Sequence, residues 1–158
     1  MNKNILIVYY SHSANTGKLA KLIEQETGGT LCELLPEKVY PGDYNTVVEQ
    51  AKKEIQGGFR PVLKTQVKDL AAYDTVFVGT PNWWSTIAPP VATFLENYDL
   101  SGKTVVPFCT HGGGGSVHIE ATVKKLCPDS TVLAAFSVYG GTVKSSQVES
   151  WLKKMGVK

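Results

Sequence analysis

Ile5-Leu6-Ile7-Val8-Tyr9-Tyr10 runs directly into Ser11-His12-Ser13-Ala14-Asn15-Thr16-Gly17, and a helical pattern from Thr16 to Glu26 follows at once. An apolar run without alternation reads as a strand covered on both faces. The strand feeds a loop of small hydroxyl and amide residues, and the loop opens a helix. The first turn of a helix carries backbone N–H groups with no internal partner, and the aligned peptide dipoles make that end positive. Ser11, Ser13, Asn15 and Thr16 add side-chain donors there, which makes a cradle for a phosphate. An ordinary strand-to-helix turn would need only one such residue as a cap. Lys18 lies just beyond the loop, so the donors within it are neutral apart from His12. That suits one terminal phosphate and not a triphosphate with its metal.

Two other phosphate loops are excluded. A Walker loop needs glycine where this chain has His12, and Ser or Thr where it has Leu19. The dinucleotide pattern G-x-G-x-x-G is absent, and the Gly112 to Gly115 run continues Ser-Val-His.

The rest of the 158 residues fits one domain, spanning 1–158, with a substantial core. The hydrophobic share of 42% and charged share of 19% are those of an ordinary soluble globular chain. Met1-Asn2-Lys3-Asn4 leads straight into the apolar run without the pattern of a secretory leader, and no run is long enough to span a bilayer. Cys32, Cys109 and Cys127 are odd in number and lack CxxC spacing, which points to reduced thiols and a cytoplasmic location. Core packing is expected for Cys32 and Cys109. A net charge of +2, without a basic cluster among aromatics, gives no reason to expect nucleic acid. The Asp and Glu residues show no metal-ligand spacing.

Apolar runs alternate with helical patterns along the whole chain. The expected strands are Ile5–Tyr10, Thr30–Leu35, Thr75–Gly79, Thr104–Cys109 and Val132–Phe136. The expected helices are Thr16–Glu26, Asn45–Gln56, Pro90–Asn97, Val117–Leu126 and Ser146–Met155. This alternation implies an α/β doubly wound parallel sheet of order 2-1-3-4-5, with helices on both faces. The stretch Pro36 to Lys64 is longer than an ordinary connection and is expected to hold a helix framed by turns. Ligands of such sheets bind beyond the C-terminal strand ends where the order reverses, here among strands 1, 3 and 4.

Those strand ends carry the remaining chemistry. After strand 3 comes Thr80-Pro81-Asn82-Trp83-Trp84-Ser85-Thr86, with two tryptophans on which a flat ligand could stack. After strand 4 comes Thr110-His111 followed by four consecutive glycines, Gly112 to Gly115. Glycine lets the backbone approach a ligand closely, so its N–H and C=O groups can line a ring edge. The alternatives are two hydrophobic residues that seal a helix and a merely loose turn. Together the three loops describe a ligand with a phosphate at one end and a flat heterocycle at the other.

The chain resembles the flavodoxin-like family. The likeness is carried by Leu6–Thr16, by Pro81-Asn82-Trp83-Trp84 with Pro89-Pro90 and Phe94-Leu95, and by Pro107 to Gly113. It extends over nearly the whole chain. It implies a three-layer flavodoxin-like sandwich and FMN as cofactor. The implied cofactor-binding residues are Ser11, His12, Ser13, Ala14, Asn15 and Thr16 in the phosphate loop. Pro81, Asn82, Trp83 and Trp84 then pack near the ring, and Thr110, His111, Gly112 and Gly113 meet its other side. Flavodoxins usually have glycine where this chain has Ala14, and alanine there costs about 1 kcal/mol if φ is positive. Flavodoxins are also strongly acidic, whereas this chain has a pI near 8.4, which removes docking through an acidic surface as an expectation.

Three details stay open at this level. His12 either donates to the phosphate or faces solvent. His111 can lie close enough to the ring to deliver a proton, while His118 is expected to be an exposed residue of the fourth helix. Tyr40 and Tyr44, with Pro41, either pack or cover the ring, and packing is the default. The implied function is a low-potential electron carrier between redox partner proteins. An alternative is an FMN-dependent NAD(P)H:quinone-type oxidoreductase with an open ring face, for which Pro36–Lys64 supplies a wall. A third is an interaction domain that binds flavin poorly.

Overall fold

A computed structural model of the chain describes residues 4–12, 14–111, 117–139 and 143–157. The strands β1 (Ile5–Tyr9), β2 (Thr30–Glu33), β3 (Thr75–Pro81), β4 (Thr104–His111), β5 (Thr131–Val132) and β6 (Phe136–Tyr139) form one sheet. The helices are α1 (Asn15–Thr27), α2 (Tyr44–Gln56), α3 (Pro89–Asn97), α4 (Val117–Leu126) and α5 (Ser145–Lys154). Every pairing in the strand path β2-β1-β3-β4-β5 is parallel, as the alternation of strands and helices requires.

Parallel strands need covering on both faces, and the side chains divide accordingly. Leu6, Val8, Val76, Val78, Val105 and Cys109 face a core shared with α2, α3 and α4, through Val47, Phe94, Leu95, Ile119 and Val123. Ile5, Ile7, Tyr9, Phe77, Val106 and Phe108 face a second core closed by α1 and α5, through Leu19, Ile23, Val148, Trp151 and Leu152. This is the flavodoxin-like three-layer arrangement. Each wholly buried large side chain, such as Phe77, Phe94 or Phe108, contributes roughly 1.5–3 kcal/mol. Cys109 and Cys127 are buried, which pushes their thiols up to about 12 and about 11, and half-buried Cys32 packs against the first core.

The fifth strand differs from its expected span of Val132–Phe136. β5 pairs with β4 as Val105↔Val132, but β6 pairs as Phe108↔Phe136, so one extra residue is inserted between them. That insertion is a bulge, which is common at a sheet edge. The Glu120 carboxylate from α4 accepts the Ala135 N–H at 2.8 Å and satisfies the backbone where the ladder is interrupted. β3 and β4 each run two residues past their expected ends, to Pro81 and His111.

The Pro36–Lys64 stretch does hold a helix, α2, and its two ends meet. Glu37 N–H donates to the Val62 carbonyl and Lys64 N–H to the Leu35 carbonyl, at 2.9 and 2.7 Å, around an antiparallel bridge between Pro36 and Leu63. The segment thus closes as a short ribbon continuing from the end of β2.

Gly79 in β3 sits beneath the wholly buried ring of Phe108, which a Cβ would approach to 2.2 Å. Gly79→Ala is therefore expected to destabilise the fold by about 1–3 kcal/mol through overpacking. Urea unfolding measures this, and Phe108→Leu in the same chain should recover part of the loss.

Candidate functional site

The β1–α1 loop is built around a helix start without a side-chain cap of its own. Ala14 occupies the N-cap position at φ 71° and ψ −10°, in the left-handed region, and its methyl group cannot accept a hydrogen bond. The first helical bond runs from Lys18 N–H to the Ala14 carbonyl at 3.0 Å. Gly17 N–H is taken by the Ser11 hydroxyl oxygen at 3.1 Å, which leaves the Ser11 O–H to donate elsewhere. The N–H groups of Asn15 and Thr16 have no acceptor among the described residues, so the positive helix end is presented outward. The geometry makes the glycine-like demand on Ala14 real.

One contact binds the start of α1 to the end of β4, and a second joins that end to β3. The Thr16 and Thr110 hydroxyls share a hydrogen bond of 2.8 Å, with both residues buried. Asn82 N–H donates to the Thr110 carbonyl at 2.8 Å, which joins the ends of β3 and β4. The start of α1 and the ends of β3 and β4 therefore meet at one edge. The Thr16 hydroxyl is thus shared with Thr110, and the Thr16 N–H lies at the helix end.

An aromatic cluster forms the neighbouring wall. Trp83 is half-buried and meets Tyr10, Tyr40 and His12 edge-on, with ring centroids 5.6, 5.2 and 5.9 Å apart. Tyr40 is buried and donates its hydroxyl to Glu54 on α2; burial and that bond hold its phenol far above the ordinary range. It packs against Tyr10 and Trp83. His12 is half-buried and makes a contact that the sequence did not suggest. Its Nε2–H donates to the Pro41 carbonyl at 2.8 Å, which anchors the phosphate loop to the ribbon before α2.

Trp84 has a different environment. Trp83-Trp84-Ser85-Thr86 is a tight turn closed by reciprocal bonds between Trp83 and Thr86, at 3.0 and 3.1 Å. Both central residues have positive φ, 54° at Trp84 and 64° at Ser85, which is the signature of a type I′ turn. Such turns normally use Asn or Gly, so nothing in this stretch announces it. Trp84 is 49% exposed, and its indole lies on α2. Pro81 ends β3, and His111 ends β4 with its ring 5.9 Å from that of exposed Tyr139. His118 is exposed on α4, as expected. Ser13, Gly112 and Gly113 lie outside the described residues.

Tyr10 escaped sequence reading as a site residue because it looks like the last position of a buried strand. It lines a cleft of about 580 Å³ between the phosphate loop and the ribbon, with Ser11, His12, Leu35, Val39, Tyr40 and Lys64 among its walls.

This fold and this edge have counterparts. A family model described as flavodoxin matches residues 4–155. A crystal structure of a protein assigned as a flavoprotein from Bacteroides eggerthii is 30% identical; the match covers 99% of this chain and 100% of that one, with a TM-score of 0.90. A flavoprotein from Lactobacillus acidophilus, solved in complex with FMN, is 26% identical over 94% of this chain and 98% of that one, with a TM-score of 0.76. Flavodoxin 2 from Bacillus cereus shares the fold, at 20% identity, 97% coverage of both chains and a TM-score of 0.61. No protein of curated function matches. The chain belongs to the flavodoxin family. Among the described residues, no helix is long and apolar enough to cross a membrane.

The strain at Ala14 has a measurable consequence. Ala14→Gly is expected to stabilise the protein by about 0.5–1 kcal/mol, the left-handed penalty less the extra entropy of an unfolded glycine. A higher urea midpoint at unchanged slope would show it; an unchanged or lower midpoint would mean that alanine is unstrained there.

Proposed function

We propose that this protein binds FMN at the convergence of the three loops and carries single electrons between redox proteins. The observation that carries the reading is the outward-facing α1 end, free of Asp, Glu, Lys and Arg over residues 11–17, tied by Thr16–Thr110 to β4 and neighboured by the half-buried indole of Trp83. The residues present fit the ligand. Ser11, Ser13, Asn15, Thr16 and their backbone N–H groups would hold the phosphate, and residues 11–17 contain no carboxylate to repel it. Trp83 would flank the ring's approach, while Trp84 is docked on α2, and Thr110, His111, Gly112 and Gly113 would supply its polar edge. The FMN complex of the Lactobacillus acidophilus relative supports the same cofactor.

FMN, when bound, supplies the redox chemistry. The chain supplies binding, orientation and a low dielectric. Buried Thr16, Thr110, Tyr10 and Tyr40 exclude water beneath the site. A phosphate dianion and an apolar wall both disfavour extra negative charge nearby, which lowers the potential at which electrons are held. The near-neutral surface, at net charge +2, favours partners recognised by shape rather than by a strong positive patch. On this reading the 158 residues are one flavodoxin-like domain working in the cytoplasm.

A specific observation favours a second reading. The cleft beside Tyr10, His12 and Tyr40 is walled by the ribbon, and it offers space for a nicotinamide or quinone in an FMN-dependent reductase.

Stepwise anaerobic reduction of the FMN-reconstituted protein, with an NADPH-only control, separates the two. The carrier reading expects two resolved one-electron stages and no bleaching by NADPH. A single two-electron stage with rapid bleaching by NADPH would overturn it in favour of the reductase.

A further inference from the structure

The two tryptophans of the β3–α3 connection have separate tasks, and the local geometry assigns them. Trp83 faces the site, in contact with Tyr10, Tyr40 and His12. Trp84 turns the other way and docks on α2. Its Nε1–H donates to the Val48 carbonyl at 3.0 Å, and the Lys52 ammonium stands 5.3 Å from its ring centroid. The turn that separates them holds two consecutive non-glycine residues in the left-handed region. Each such residue is disfavoured by the closeness of its Cβ to the following carbonyl. A conformation of this kind persists only where the surroundings over-determine it.

The surroundings do so from two sides. On one side the turn is fastened to α2 through Trp84. On the other, the Thr86 and Thr122 hydroxyls lie 3.3 Å apart and connect it to α4. Just beyond, Ile87 and Ala88 are buried, and Ala88 N–H donates to the Thr80 hydroxyl at 2.9 Å. The α4 side is thus held by buried chain, whereas the α2 side is held by one exposed indole. A surface indole that accepts a cation on its face and donates from its N–H is a clamp of useful strength.

We infer that Trp84 is a positioning residue: by clamping a glycine-free turn to α2, it fixes the Trp83 ring at the mouth of the flavin site. This rests on the flavin reading for its functional consequence, but not for the clamp itself. Without the clamp the strained turn relaxes, and Trp83 samples several orientations against Tyr10 and Tyr40. α2 and the ribbon then become part of the binding site without touching the ligand.

Two readouts test the inference in parallel, on the full chain. The first is the 19F spectrum of the apo-protein labelled with 5-fluorotryptophan, in which Trp83, Trp84 and Trp151 are assigned by substitution. The second is FMN affinity, measured by flavin fluorescence. In Trp84→Ala the Trp83 resonance should broaden or split, and FMN should bind about tenfold more weakly. Trp84→Phe keeps the ring over Lys52 but lacks the N–H, and it should fall between. Adding Ser85→Gly to Trp84→Ala relieves half of the left-handed strain, and it should sharpen the Trp83 resonance and restore most of the affinity. A purely structural role for Trp84 would lower stability without that rescue by glycine. An unchanged Trp83 resonance in Trp84→Ala, or no recovery in the double variant, overturns the inference. If the parent chain binds no FMN, the flavin reading fails, while the apo spectra still decide the clamp.

Discussion

Tyr9, Gly79 and Phe108 form one row across three parallel strands, and the absence of a side chain at Gly79 lets the Phe108 ring lie over that row. Parallel pairing sends every strand out of the sheet in the same direction. Because β1, β3 and β4 are in register at this row, their following segments leave within a few residues of one another. The phosphate loop, the two tryptophans and the Thr110-His111 segment are consequences of that registration. The buried Thr16–Thr110 pair and the bond from Asn82 N–H to the Thr110 carbonyl then tie the segments together. Loss of register by one residue would turn each strand over and separate the loops.

Much of the backbone strain lies at the same edge. Among the described residues four that are not glycine hold positive φ; Asp69 lies before β3, whereas Ala14, Trp84 and Ser85 lie in loops leaving the C-terminal strand ends. Such conformations cluster where the surrounding structure fixes them for a purpose. At Ala14 the purpose is an α1 end whose N–H groups face outward. At Trp84 and Ser85 it is a sharp reversal that sends one indole toward the site and the other onto α2. The fold's stability comes from the two cores flanking the sheet, so local strain at its edge is tolerable.

The central strands were legible because burial on both faces removes alternation and leaves continuous apolar runs. The strand-to-helix junction after Tyr9 was legible because the apolar run stops abruptly at a cluster of small hydroxyl and amide residues that favour helix starts. What was not legible depends on distant partners. Leu133-Ala134-Ala135 reads as continuous strand because no turn residue interrupts it; the bulge is set by Glu120, fifteen positions earlier on α4. The type I′ turn at Trp84 carries neither Asn nor Gly and is held by Val48 and Lys52 on another helix. The anchoring of His12 by Pro41 likewise appears only once the ribbon has folded back. Local sequence placed the loops at the strand ends, while contacts across the chain decide which way their side chains point.

The claim that matters most is that the α1 end holds the phosphate of a flavin nucleotide through neutral donors. Titration of the apo-protein with FMN and with riboflavin, in phosphate-free buffer, tests it directly, since the two ligands differ only in that group. The account predicts that FMN binds at least about a hundredfold more tightly, the equivalent of two charge-assisted hydrogen bonds at the low end of roughly 1.5–3 kcal/mol each. Equal affinities would mean that the phosphate is not held there.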